Sequence, residues 1–345
     1  MKVGAASIYE VAKAARVSIA TVSRVANGGA RVGARTEARV RRAMTRLRYR
    51  PHALARGLAA RRSHTVGLLI TDVLDPYFAE IIRGAQAQAE LAGYVVLLGD
   101  ASVHTAGEDL LVRRLLERRV DGLIVASSRT TDDYAAQLKS EDIPVVCING
   151  PLHQFPHAVQ VDQRAGARLA VEHLAKLGHR RIAHITGPVS VPTRAERLSS
   201  FRAALKEADI AYDPELVVMG VTTIEEARSA AARLLALADP PTAMFAYNDR
   251  WAIGCYGAIR AAGLRVGADI SVVGFDDIVM TEWVDPPLTT VSQPRMEMGR
   301  IAIDMLLAVL RGDSVPEVVV VQPQLVVRGS TAAVRRSARR QRSGT

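Results

Sequence analysis

From Thr65 onward the chain alternates short apolar runs with amphipathic stretches, and this alternation restricts the fold more than any other feature. The runs read TVGLLIT, YVVLLGD, VDGLIVAS, IPVVCING, RIAHITG, AMFAYND and ISVVGFDD. Between them lie helical stretches that include Tyr77–Ala92, Gln163–Leu177, Ala195–Ala208, Ile224–Leu237 and Arg250–Ala262. Strands that alternate with helices pair in parallel and need cover on both faces, so the body reads as an α/β domain of parallel sheets with helices on both sides. In such sheets ligands sit at the carboxyl ends of the strands. The residues there are polar: Asp72, Asp75, Ser127, Asn149, Ser190 to Arg197, Asn248, Asp249, Asp276 and Asp277. Asp and Asn at strand ends also cap helices, so each of these positions has both readings.

Of the 345 residues 49% are hydrophobic, but no apolar run reaches the ~18 residues that a membrane span needs. Met1 to Glu10 lacks the apolar stretch of a secretory signal, and the expected location is cytoplasmic. Cys147 and Cys255 are far apart and have no metal-ligand spacing, so neither a disulfide framework nor a zinc site is expected. The net charge of +10 is unevenly spread. Residues 1–64 hold 15 Lys and Arg against two acids, a net of +13, and residues 331–345 hold five Arg and no acid. The stretch between them carries 25 bases against 33 acids, a net of −8. A 64-residue segment at +13 exceeds what solubility requires and points to a polyanion as partner.

That segment contains SIYEVAKAARVSIATVSRVANGG. Ser7 and Glu10 have the spacing of a capping box, and Ile8, Val11, Ala12 and Ala15 fall on one helical face. After a break at Arg16-Val17, Ser18 caps a second short helix, Ile19 to Ala26, which Asn27-Gly28-Gly29 closes. A third helix is expected from Thr36 to Arg48. Two short helices separated by about three residues, with a third to complete the core, describe a helix-turn-helix. Thr21, Ser23 and Arg24 are side chains suited to phosphate and base contacts. Next comes RYRPHALARGLAARRSH, in which Pro51 opens a helix over Ala53 to Ala60. A helix so short is marginal alone in water, which suits a segment that orders only on a partner.

The string IYEVAKAARVSIATVSRVANG closely resembles the headpiece of the lac-repressor/galactose-repressor family. The resemblance runs from Ser7 to about Ser330 through VEHLAKLGHRRIAHITGP, GLRVGADISVVGFDD and PPLTTVSQP. It implies a homodimeric DNA-binding regulator. Ile19, Ala20 and Arg24 would face base edges, and Ser18, Thr21, Ser23 and Asn27 would hold phosphates. Ala55, Arg56 and Leu58 would sit in a hinge helix, with Leu58 wedged into the minor groove. Two departures from the family pattern occur in the headpiece. Arg16 stands where Gly is usual in the turn, and Gly33 where a capping Ser is usual.

For the body the resemblance implies two similar lobes of the periplasmic-binding-protein type, with three crossing strands and an effector in the cleft. The implied organisation is a headpiece at 1–50, a hinge at 51–64, a two-lobed domain at 65–330 and a basic tail at 331–345. Lobe 1 would take about 65–160 and 292–322, and lobe 2 about 161–291 and 323–330. Asp72, Asp75, Tyr77, Phe78, Asn149, Thr193, Arg197, Asn248, Asp276 and Gln293 would line the cleft, although Phe78 also reads as plain core. Where many relatives place an aromatic to stack on a ring, this chain has Thr222, which favours a sugar-like metabolite over a purine. The implied partners are double-stranded operator DNA, a sugar-like effector and a second copy of the chain, with no cofactor, metal or membrane.

Two other classes share parts of this pattern. A solute-binding protein would have the same two-lobed body, but it needs an export signal and has no use for the basic headpiece. An enzyme of the Rossmann type needs a Gly-rich phosphate loop after its first strand. TVGLLITDVLDPYF offers only Gly67, inside the strand, and no nucleophile or metal-ligand cluster joins the strand-end carboxylates, so catalysis is not expected.

Overall fold

The computed structural model describes residues 6–26, 32–49, 62–103, 108–126, 138, 141, 143–150, 154–187 and 192–334. The chain divides into two compact units, Met1–His64 and Thr65–Thr345.

The first unit is built from α1 (Ile8–Ala15), α2 (Ile19–Ala26) and α3 (Ala34–Arg46). Ser7 and Glu10 form the expected capping box: Glu10 Oε2 accepts from Ser7 N at 2.7 Å, and Ser7 Oγ accepts from Glu10 N at 3.3 Å. Arg16 ends α1 at φ 50° and ψ 52°, the left-handed conformation that glycine adopts without strain. Ser18 Oγ accepts from Thr21 N at 3.2 Å, which satisfies one open amide at the start of α2. The helices close over Val11, Ala12, Ala15, Val22, Val25, Val40 and Ala43. Helix α3 begins and ends two residues earlier than its pattern suggested. Gly33 starts it with no side-chain cap, Leu47 caps its end, and Arg48 follows at φ 51°.

The second unit contains two six-stranded sheets. In the first, β1 (Thr65–Ile70), β2 (Val95–Asp100), β3 (Gly122–Ala126), β4 (Val145–Ile148), β5 (Ala158–Val161) and β11 (Val318–Val321) lie in the order β11-β5-β4-β3-β1-β2. All five pairings in it are parallel. In the second, β6 (Ile182–Ile185), β7 (Val217–Val218), β8 (Ala243–Ala246), β9 (Ser271–Asp276), β10 (Thr289–Ser292) and β12 (Gln324–Val326) lie in the order β12-β10-β9-β8-β6-β7.

Helices cover both faces of each sheet, as the side-chain alternation of a strand requires. On β1, Val66, Leu68 and Ile70 pack toward α4 (Pro76–Leu91) and α10 (Arg295–Arg311), whereas Leu69 packs toward α5 (Glu108–Glu117). On β8, Met244 and Ala246 pack toward α8 (Ile224–Leu235) and α9 (Asp249–Ala261). Ala243 and Phe245 face α6 (Gln163–Lys176) and α7 (Pro192–Glu207). No helix among the described residues is long and apolar enough to cross a membrane.

The chain passes between the sheets three times: from β5 into α6, from β10 into α10, and from β11 into β12. The sheets are parallel as expected, with one antiparallel pairing at the last passage, where β12 runs antiparallel to β10. A chain leaving the carboxyl end of β11 enters the second sheet at the carboxyl ends of its strands, and can only run back along them.

Candidate functional sites

Helix α2 presents two unlike faces. Val22 and Val25 are buried in the headpiece core, while Ser18, Ile19, Ala20 and Arg24 are exposed, Ile19 at 40%. Thr21 and Ser23 are half-buried beside them, and Thr21 Oγ1 lies 2.9 Å from Ser18 Oγ. Helix α2 thus leaves one apolar and one basic side chain, Ile19 and Arg24, in solvent. Asn27, Ala55, Arg56 and Leu58 lie outside the described residues, as does Ser127.

In the body the strand ends of the two sheets are joined by a chain of hydrogen bonds. Asn149 follows β4 and donates from Nδ2 to Tyr77 Oη at 2.8 Å and to Gln293 Oε1 at 3.2 Å. Gln293 follows β10 and donates from Nε2 to Asp276 Oδ1 at 2.6 Å. Asn149 Oδ1 accepts from Val161 N at 3.0 Å, which fixes the amide's orientation. Asn149, Asp276 and Asp277 hold φ values of 52°, 114° and 61°. Positive φ in non-glycine residues costs conformational energy and concentrates at functional sites.

Burial lifts the pKa of Asp276 to about 7, and the charge of Asp75 adds to this. Arg197, Arg295 and the Gln293 amide oppose the rise. Burial also raises Tyr77 and Tyr247, so both phenols stay protonated and can donate. Asp249, fully buried, is raised well above its ordinary value, first by burial and then by the charge of Asp276. It accepts from Thr290 Oγ1 at 2.5 Å and Ile278 N at 2.9 Å, a structural role that ties α9 to β10 and the loop after β9.

Arg197 projects from α7 and is 3% exposed. Its Nε donates to Gln163 Oε1 at 2.9 Å, and its Nη1 donates to the Tyr247 carbonyl. The guanidinium lies over the rings of Phe275, at 3.7 Å, and Tyr247, at 4.5 Å. Thr193, one turn earlier, is 2.9 Å from the Tyr247 hydroxyl.

The remaining expected positions are already engaged. Asn248 caps α9 by accepting from Trp251 N at 2.9 Å. Asp75 caps α4 through Tyr77 N and also accepts from Arg250 Nη1 at 3.1 Å. Asp72 accepts from Leu74 N at 2.9 Å and lies 3.9 Å from the same arginine. Phe78 is 7% exposed and belongs to the core under α4 and α10, the alternative that its sequence context left open. Thr222 is exposed and donates to Glu226 Oε2 at 2.8 Å.

Gln163, Tyr247, Arg250 and Arg295 hold or neighbour the site and were not anticipated from the sequence. Their signal was positional: Gln163 follows the helix cap at the first crossing, Arg250 comes two residues after Asn248, and Arg295 comes two after Gln293.

An exposed helix-turn-helix face and a two-sheet body with a buried polar seam, carried on one chain, define a DNA-binding regulator with a ligand-sensing domain. Residues 7–52 match the family of bacterial regulatory proteins, lacI family, and residues 171–331 match a periplasmic binding protein-like domain. The chain is 35% identical over 333 residues to the HTH-type transcriptional repressor CytR of Escherichia coli (strain K12), covering 96% of this chain and 97% of the relative. It is 35% identical over 306 residues to the HTH-type transcriptional repressor PurR of Aliivibrio salmonicida, covering 88% and 91%. A lac repressor dimer bound to operator and the anti-inducer ONPF aligns with a TM-score of 0.86 at 31% identity, over 96% of this chain and all of that one. A complex of the transcriptional regulator CelR with cellobiose gives 0.73 at 32% identity, over 94% and 99%. This protein belongs to the lacI family and is a DNA-binding transcriptional regulator.

Proposed function

We propose that the protein represses transcription as a homodimer on a pseudo-palindromic operator, and that a sugar or sugar derivative held between the two sheets controls its affinity for DNA. The observation that carries the reading is the Tyr77–Asn149–Gln293–Asp276 chain. A polyhydroxylated ligand offers donors and acceptors to replace these bonds on both sides at once, which couples occupancy to the angle between the lobes. The lac repressor bound to ONPG and the CelR–cellobiose complex are relatives whose ligands are glycosides or sugars, and they support the class. Helix α2 would enter the major groove, with Ile19, Ala20 and Arg24 on base edges and Ser18, Thr21, Ser23 and Asn27 on phosphates. Ala55, Arg56 and Leu58 would act at the minor groove.

Exposed apolar side chains support the dimer. Leu91, Val95, Leu97 and Leu98 on α4 and β2, and Val279 and Trp283 after β9, are 36–83% exposed. Where such side chains are contiguous, as the neighbouring Val95, Leu97 and Leu98 of β2 are in sequence, they suit a protein–protein contact.

The test combines sedimentation with DNA binding. Two chains on one palindromic duplex, separated by Val95→Lys with Trp283→Ala, support the proposal. So does release from that duplex by a sugar, with release abolished in Asp276→Ala. A monomer that binds one half-site, indifferent to every sugar tried, would refute it.

A further inference from the structure

Arg16 joins α1 to α2 at φ 50° and ψ 52°. Four helix ends in the body give a positive φ to glycine, at Gly93, Gly178, Gly263 and Gly312. Glycine takes that conformation freely, whereas a Cβ crowds the following carbonyl oxygen. Arg48, Arg119 and Asp209 also have positive φ after their helices, so the strain by itself assigns no role. The surroundings of Arg16 do.

Its side chain is exposed, and no hydrogen bond or ion pair engages the guanidinium among the described residues. Packing therefore does not require an arginine here. Nor does α1, because Lys13 already supplies a base to the carboxyl end of the helix dipole. Glu10, the acid of α1, is occupied by Ser7 N at 2.7 Å and Ser7 Oγ at 3.1 Å. On α3, by contrast, Arg41 is held by Glu37 at 2.7 Å, and Arg42 donates to the Ala38 carbonyl at 3.3 Å.

Arg16 also borders the face of α2 proposed to meet DNA. Val17 is half-buried, while Arg16 and Ser18 on either side of it are exposed. Two Cα atoms two residues apart are separated by at most about 7.6 Å. Phosphates follow one another every ~3.4 Å of axis along each DNA strand. A phosphate held at Ser18, or the one beside it, therefore lies within reach of the long Arg16 side chain.

We infer that Arg16 holds a backbone phosphate of the DNA, a contact that a glycine at this turn cannot make. The inference rests on the α2 face proposed above and extends it by one residue. A guanidinium on a phosphate displaces condensed counterions and fixes the protein on the duplex without reading a base. The strained turn thus exchanges headpiece stability for affinity.

The test uses the full chain and three variants, Arg16→Gly, Arg16→Asn and Arg16→Lys. Glycine relieves the backbone, asparagine tolerates the left-handed region without a charge, and lysine restores a point charge. One probe is a duplex selected by the wild type from a random pool, and the other is a scrambled duplex of equal length and composition. Fluorescence anisotropy measures affinity for both between about 0.05 and 0.2 M salt, the range over which ion release dominates. Circular dichroism checks that each variant is folded.

Arg16→Gly and Arg16→Asn should each make the logarithmic salt dependence shallower by about 0.9 per bound chain. At about 0.15 M salt this corresponds to roughly fivefold weaker binding per chain, equal on the two duplexes. Arg16→Lys should keep the wild-type slope. Arg16→Gly removes strain, so weaker binding by that variant cannot come from a damaged headpiece. An unchanged slope in both Arg16→Gly and Arg16→Asn would overturn the inference and leave the other headpiece contacts standing. So would a loss confined to the selected duplex, which would make Arg16 a reader of bases. A wild-type chain with no salt-dependent affinity for either duplex would count against the α2 face as well.

Discussion

Arg250, in the first turn of α9, donates from Nη1 to Asp75 Oδ2 at 3.1 Å, and so ties a helix of the second sheet to the loop after β1 of the first. Both side chains are partly buried, at 28% and 18% exposure, which spares the pair much of the solvent screening that weakens surface bridges. Asp75→Asn keeps the oxygen that caps α4 and removes the charge. It should therefore loosen the two sheets against each other by on the order of 1 kcal/mol without fraying the helix. Solution scattering should show a larger radius of gyration in Asp75→Asn and in Arg250→Ala. A double-mutant cycle should return a coupling between the two, and unchanged scattering in both would show that the pair does not hold the lobes.

The headpiece contains a conformational cost that a single substitution should remove. Arg16 sits at φ 50° and ψ 52°, and its side chain is exposed. Arg16→Gly should stabilise the headpiece by roughly 0.5–1 kcal/mol, because glycine occupies that region without strain. Gly33 precedes α3 at φ −60° with nothing within 4 Å of an added Cβ, so Gly33→Ser should add a few tenths of a kcal/mol through a cap. Thermal unfolding of the headpiece, followed by circular dichroism, measures both.

Helices α4 and α10 approach each other backbone to backbone. A Cβ at Gly84 would stand 2.0 Å from the Met296 carbonyl oxygen, and one at Gly299 would stand 2.2 Å from that of Ile81. Neither obstacle is a flexible side chain, so Gly84→Ala and Gly299→Ala should each cost about 1–3 kcal/mol. The double variant should cost less than the sum, since one separation of the helices relieves both contacts. Chemical denaturation of the three variants checks the sizes and the shortfall.

His184 gives the second sheet a specific pH dependence. The ring is fully buried against Phe201 and Phe245, at centroid distances of 4.7 and 5.1 Å. Nδ1 must donate to the Phe245 carbonyl 2.8 Å away, and Nε2 has no partner among the described residues. Protonation would place an unanswered N–H in the core, so burial depresses the pKa from 6.5 to about 4. The unfolded chain then binds the proton more readily than the folded one. Stability is complete above about pH 6.5 and falls as the pH drops toward 4, by up to about 3 kcal/mol. His184→Phe keeps the ring stack and should flatten that part of the stability profile. An unchanged profile would assign the acid sensitivity to other groups.

The sequence allowed the α/β character to be read because parallel strands are apolar end to end and their helices are amphipathic. The capping box at Ser7 and Glu10 and the cap at Ser18 placed α1 and α2 to the residue, because each is a local interaction with a fixed spacing. Helix α3 shifted by two residues because Gly33 offers no capping atom to read. Helices α5 and α10 were not among the stretches read, although Arg295–Arg311 carries a clear apolar stripe.

The seam shows where local reasoning stops. Asn149 and Gln293 are 144 positions apart, and Arg250 and Asp75 are 175 apart. No spacing rule brings such residues together, and strand-end topology could point only to a region. Within that region, capping took Asn248 and the core took Phe78, as competing uses of the same residue types.

The most direct test of the account is selection of bound duplexes from a random DNA pool by the purified full chain, with Arg24→Ala in parallel. A pseudo-palindrome is the expected result for the wild type. With Arg24→Ala, one symmetric pair of base positions should relax, at about 1–3 kcal/mol per contact, while the rest of the site persists. Recovery of sequences with no common pattern, bound only in proportion to low salt, would mean that α2 reads phosphates and not bases, and would contradict the claim that this chain finds specific sites on DNA.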